Sequence, residues 1–159
     1  MKKYIYLIFI LVIAITTACG PKIPHPGEIE LNGHLDMKIY DETGIMLDRV
    51  SGIFKVDGPK NQLSMFLDNR AGIPIGHVVV RDGDISGEGL SFVEEFSEIF
   101  KFWPYIFGIG ADEIPGKYSY RDIEIEYIDG YQKGGGEYAK TVNLKMPDGI
   151  IKLDIKYEN

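Results

Sequence analysis

The side chains able to do chemistry are few and scattered. The chain has one cysteine, Cys19, and three histidines, His25, His34 and His77. Nucleophilic catalysis needs a hydroxyl or thiol held by a base that a third group orients. No such set is suggested. His25 lies in a proline-rich stretch, His34 on the polar side of an alternating segment, and His77 just after an apolar turn. All three read as partly exposed surface residues. Zinc ligation has no better support, because cysteine pairs and H-x-x-x-H spacing are both missing. Asp82-Gly83-Asp84 offers two carboxylates of a calcium loop without the remaining spaced ligands, and reads as a turn. Gly134-Gly135-Gly136 lacks the lysine and hydroxyl of a phosphate loop, and no helix follows it, so it reads as a flexible loop. Glu124 and Glu126, two apart on a strand, share a face that reads as solvated. The expectation is no catalytic residue, no metal ligand and no cofactor: a chain that is not an enzyme.

The elements around these residues are mostly strands. Glu30 to Tyr40 alternates cleanly, with Leu31, Gly33, Leu35, Met37 and Ile39 on one face and Asn32, His34, Asp36 and Lys38 on the other. Period two with one wet face is the antiparallel signature. Further strands are expected over Ile45–Val56, Gln62–Leu67, Ile75–Arg81, Ile85–Leu90, Lys117–Tyr120, Asp122–Ile128, Tyr138–Met146 and Ile150–Tyr157. Turns are expected at Asp41–Gly44, Asp57–Lys60, Asp82–Asp84 and Pro147–Gly149. A loop is expected from Asp129 to Glu137. The period changes at Ser91, where Phe92, Val93, Phe96, Ile99, Phe100 and Trp103 recur at helical spacing. Ser91 and Glu94 form a capping box, and Pro104 ends the helix or begins a new turn.

About nine strands with one or two helices make an α+β, mainly β fold. A long antiparallel sheet must cover its apolar face, and little helix is available for that. The expected solution is a curved sheet, an incomplete antiparallel β-barrel, with the aromatic helix across the concave face.

Two apolar features stand out. Phe102, Tyr105 and Phe107 add aromatic rings beyond the helical stripe, which suits either core packing or the lid of an acyl-chain cavity. Ile73-Pro74-Ile75 follows a polar, turn-forming run, Asp68-Asn69-Arg70-Ala71-Gly72. It suits either a loop folded back on the sheet or a tip that touches a membrane.

The first residues stand apart from the fold. Lys2 and Lys3 precede a twelve-residue apolar run, Tyr4 to Ile15. Such a run spans about 18 Å as a helix against a hydrocarbon core of about 30 Å, the length of an export-signal core rather than of a membrane span. Thr16-Thr17-Ala18-Cys19-Gly20 follows. This resembles a bacterial lipoprotein signal, although Thr16 stands where Leu is usual. The resemblance implies cleavage after residue 18, lipidation of Cys19 by chains such as palmitate, and a membrane-anchored rather than spanning protein. An ordinary signal peptide cut near Ala18 is the rival. The domain division is a signal peptide over 1–18, a lipidated cysteine with a Pro-rich tether over 19–27, and one folded domain over 28–159. Formal net charge is −7, and loss of Lys2 and Lys3 makes the chain more acidic still. That argues against nucleic acid and against charge-driven binding of anionic headgroups. The same resemblance implies the outer membrane, facing the periplasm, in a two-membrane cell, because Gly20 rather than Asp follows the cysteine.

The order of elements over roughly Leu31 to Tyr157 resembles the LolA/LolB family, the carrier and outer-membrane receptor of lipoprotein localisation. LSMFLDNRAGIPIGHVVV resembles its strand, proline–glycine turn and next strand. SFVEEFSEIFKFWPYIFGIG resembles its lid, and IEIEYIDGYQKGGGEYAKTVNLKMPDGIIKLDIKY its closing strands. The resemblance implies a half-barrel whose cavity takes acyl chains of lipoproteins or lipids during transport. Met37, Leu63 and Met65 would line it from the sheet, and Phe96, Phe100 and Trp103 from the helix. It further implies a membrane-insertion loop at Ile73, Pro74 and Ile75, and a periplasmic carrier protein as partner. The alternative is an envelope scaffold or partner-binding lipoprotein with a packed interior and no ligand.

Overall fold

The computed structural model describes residues 23–89 and 99–158. Cys19, Phe92 and Phe96, with the expected signal and helix start, lie outside the described residues. Nine strands form one antiparallel sheet: β1 (Glu30–Asp41), β2 (Met46–Asp57), β3 (Gln62–Asn69), β4 (Pro74–Arg81), β5 (Asp84–Glu88), β6 (Gly116–Tyr120), β7 (Ile123–Lys133), β8 (Gly136–Met146) and β9 (Gly149–Tyr157). Their order is β5-β4-β3-β2-β1-β9-β8-β7-β6, so the sheet is open, with β5 and β6 at its edges. Two meanders, β1 to β5 and β6 to β9, are joined by the pairing of β1 with β9 from Gly33↔Tyr157 to Asp41↔Gly149.

The expected alternation in β1 fixes which face is buried. Leu31, Leu35, Met37 and Ile39 are buried, as are Val50, Phe54 and Val56 of β2, Leu63, Met65 and Leu67 of β3, and Leu153 and Ile155 of β9. The outer face carries the charges. Gly33 and Gly52 sit on the core face where backbones crowd. A Cβ on Gly33 would stand 2.0 Å from the Lys156 carbonyl oxygen, and one on Gly52 2.1 Å from that of Phe66. Only glycine tolerates such an approach. Across Gly33 the rings of its partners Phe54 and Tyr157 meet edge to face, 5.9 Å apart.

The expected loop from Asp129 to Glu137 is mostly strand. β7 and β8 continue to Lys133 and Gly136, leaving a two-residue turn. Gly134 and Gly135 have φ of 59° and 79°, the pair of positive values that a type I′ hairpin turn demands. Three glycines in a row read as flexibility in the sequence, yet two of them serve a tight turn.

Ahead of β6, the chain from residue 99 packs on the core face. Residues 99–101 are helical, Phe102 interrupts with ψ of 27°, and a short helix α1 (Trp103–Ile106) begins with Pro104 in its first turn. Every residue from Phe102 to Ile109 is buried.

The strands give the molecule two ends. At the entry end the chain feeds β1, and the turns 58–61, 82–83 and 134–135 lie there. The far end carries the turns 42–45, 70–73, 121–122 and 147–148. The chain leading into β1 is docked at the entry end. Pro26 is buried, Gly58 N–H donates to the Ile29 carbonyl at 2.7 Å, and Pro24 lies against Gly110.

Candidate functional site

The core face is the first place to seek a binding site, and aromatic side chains occupy it. Phe107 packs on Phe54 at 4.8 Å between ring centroids and meets Trp103 edge-on at 6.2 Å. Phe102, off the helical stripe by its spacing, packs on Tyr120 at 5.1 Å. Backbone bonds hold this segment down: Ala139 N–H donates to the Phe107 carbonyl at 2.9 Å, and the Tyr127 hydroxyl to the Tyr105 carbonyl at 2.6 Å. Tyr105 also stacks on Tyr118, their hydroxyls 3.0 Å apart. Burial, then the hydrogen bond and charge of Tyr118, push the Tyr105 hydroxyl well above the usual phenol range. Burial does the same for Tyr127 and Tyr157.

The structure brings together five of the six expected cavity residues. Met37, Leu63, Met65, Phe100 and Trp103 are each at most 3% exposed and belong to one cluster with Phe102 and Phe107. Phe96 lies outside the described residues.

The tip residues separate from one another. The Arg70–Ile73 turn is held by Asn69, whose Oδ1 accepts from the N–H of Ala71 at 2.9 Å and of Ile73 at 3.0 Å. Ile73 is 58% exposed and Pro74 is exposed, but Ile75 is half-buried and packs on the core. Only the first two project freely.

Sequence reasoning missed a second exposed apolar group at the same end. Ile45 and Leu47 are each 64% exposed, and Met46 between them is 38% exposed. Ile39 pairs with Asp48 and Tyr40 with Met46, so Leu47 is the extra residue of a bulge. A bulge re-aims its side chain, and Leu47 joins Ile39, Ile99, Phe102 and Met146 around a pocket of about 480 Å³. The available signal was three consecutive apolar residues directly after the Gly44 turn, which broke the alternation expected of a strand.

A second groove, about 590 Å³, runs over the outer face above Ile53 and Phe66. Phe66 stacks on His77 with centroids 4.1 Å apart. Beside it, Arg49 grips Asp36 with Nε at 2.7 Å and Nη2 at 3.1 Å, while Lys38 reaches Asp154 at 3.3 Å. Partial burial pushes the Asp36 carboxyl up, but the Arg49 hydrogen bonds and charge, with Lys38, outweigh it and hold the pKa below the usual range. Glu124 and Glu126, expected to be solvated, are bridged by Lys145 and Lys117.

None of this assembles a reaction centre. His34 faces Glu158 at 3.4 Å, His77 stacks on Phe66, and His25 Nδ1 accepts from the Gly27 N–H. Among the described residues no group of three or more His, Cys, Asp or Glu is gathered to hold a metal ion, and no helix is long and apolar enough to cross a membrane. No protein-family model matches the chain, and no curated protein matches it significantly.

Proposed function

We propose that this protein is an envelope lipoprotein, anchored by lipid on Cys19, that acts as a scaffold or partner-binding module. Its sheet is curled as an incomplete barrel whose interior is packed. One observation carries the choice over an acyl carrier: Met37, Leu63, Met65, Phe100 and Trp103 are all buried in a single cluster. A carrier of the LolA/LolB type needs those same side chains to border open space. Here Phe102 and Phe107 stand in that space, at contact distance from Tyr120 and Phe54.

The acyl-binding reading keeps one observation in its favour. The apolar pocket of about 480 Å³ at the far end has room for part of a lipid tail, and each methylene buried there contributes about 0.8 kcal/mol.

Two measurements test the proposal. Radiolabelled palmitate should label the intact protein and fail to label Cys19→Ala, which should leave the membrane fraction. Native mass spectrometry of Cys19→Ala protein, exported behind a cleavable signal peptide cut ahead of residue 19 and purified from a bacterial envelope, should give a clean apo mass. A co-purifying fatty acid, phospholipid or acylated peptide would overturn the packed-interior reading and restore the carrier.

A further inference from the structure

Cys19 stands four residues before Ile23, the first described residue. Four fully extended residues cover at most about 14 Å. From Pro24 onward the chain is docked on the entry end, against Gly110 and, through Ile29, against Gly58. A lipid on Cys19 therefore draws the entry end toward the bilayer. β1 alone has 12 residues, and at about 3.3 Å per residue it carries the chain some 36 to 40 Å toward the far end.

Four of the eight exposed large apolar side chains among the described residues lie at that far end. Ile45, Met46, Leu47 and Ile73 are there, 38% to 64% exposed, together with the apolar pocket beside Leu47. Asp122 and Asp148 line the pocket beside Arg121, the exposed Glu42 and Asp48 flank Ile45–Leu47 along the chain, and the exposed Arg70 adjoins Ile73, so carboxylates outnumber the cations there. Arg49 at this end is already engaged by Asp36, and Arg121 lies over the Tyr120 ring at 5.4 Å. β3 pairs with β2 only from Val50 onward, so the β1–β2 hairpin overhangs its neighbours and presents its tip.

We propose that the far end of the sheet is turned away from the anchoring membrane and docks a protein partner through a cationic segment with an apolar anchor, the anchor entering the pocket beside Leu47. This rests on the lipid-anchored reading above and adds the surface and the partner chemistry. An apolar pocket filled by one anchor inside a charged rim is how protein interfaces concentrate affinity. The acidic rim selects basic flanks and steers their approach. The same rim disfavours the alternative occupant, a bilayer, because anionic headgroups repel it.

Orientation and docking are tested separately. Intact lipidated protein carries a fluorophore at Ile73→Cys or at Gln132→Cys, the second near the entry end. It is placed in vesicles of phosphatidylethanolamine and phosphatidylglycerol containing a nitroxide lipid. Quenching at position 132 should exceed that at 73 severalfold, and stronger quenching at 73 would overturn the orientation. If neither is quenched because the protein stays off the vesicles, the lipid-anchor reading has failed, and docking is then decided by the second assay.

In that assay a synthetic peptide of alternating Lys and Leu is titrated by fluorescence anisotropy. Leu47→Ser should weaken binding at least tenfold and Asp148→Lys at least threefold. A reversal on the outer face, Glu126→Lys, should change it less than twofold. Equal effects of all three variants, or none, would overturn the docking surface. So would a co-purified lipid that Leu47→Ser removes, since the pocket would then hold a tail rather than an anchor.

Discussion

Replacing Met65 with alanine separates a packed interior from a cavity wall. Met65 is 1% exposed, and its row on the core face places Phe54 on one side and Val78 on the other. Truncation removes three heavy atoms. Their transfer is worth about 2 kcal/mol at roughly 0.8 kcal/mol per methylene. If partners surround the site on every side, the void left behind adds to this, and buried Met→Ala changes cost about 2–5 kcal/mol in total. For a chain of 159 residues, each kcal/mol shifts Tm by about 2–4 °C. A cost near 3 kcal/mol thus lowers Tm by about 6–12 °C. The assay is thermal and urea unfolding of the Cys19→Ala chain, with an unchanged m value confirming that the native state is intact. Ile53→Ala, on the outer face and 49% exposed, is the internal control and should shift Tm by less than about 3 °C. A Met65→Ala shift no larger than the control would refute the packing argument, because a side chain facing open space has little to lose.

Gly52→Ala should destabilise by about 1–3 kcal/mol or more, since its Cβ would stand 2.1 Å from the Phe66 carbonyl oxygen and backbone cannot step aside cheaply; a lowered urea midpoint measures it. Asn69→Ala removes the acceptor that organises the Arg70–Ile73 turn, an expected loss of about 1 kcal/mol, with faster amide exchange at Ala71 and Ile73. On the alkaline side, Tyr105, Tyr127 and Tyr157 are held protonated by burial. The unfolded chain releases those protons first, so stability present below about pH 10 is lost as pH rises above it. Unfolding followed by fluorescence should therefore coincide with ionisation of these three phenols, seen as a late rise in phenolate absorbance. On the acidic side, the lowered pKa of Asp36, Asp41 and Glu124 gives stability that is full above about pH 5 and falls as pH drops below about 4. Arg49→Gln should flatten part of that fall.

The alternation of β1 told the sheet's inside from its outside residue by residue, because one wet face and one dry face leave a period of two in the sequence. The same rule placed Met37, Leu63 and Met65 correctly on the inside. It was silent on whether that inside is full, since burial by protein and burial by ligand select the same residue types. Phe102 shows the limit most clearly. Helical spacing put it off the stripe, and it packs inward because the helix is interrupted at that very residue. Leu47 was hidden for a related reason. A bulge of one residue changes which way a side chain points while leaving composition untouched. The Gly134–Gly135 turn was misread because glycine marks tight turns and loose loops alike.

The pairing of β1 with β9 sets an order of events. Each meander closes through neighbouring hairpins and can zip as soon as it is made. The seam between them joins the first strand to the last, Leu35 to Ile155 and Met37 to Leu153. A chain synthesised from its N-terminus therefore keeps one flank of β1 unpaired until β9 has been made. The loop that must then close spans more than a hundred residues, and closing such loops is what makes β folds slow. For that interval the apolar rows of β1 are an adhesive edge, and a chaperone that recognises unpaired strands has its natural opportunity at the N-terminal meander.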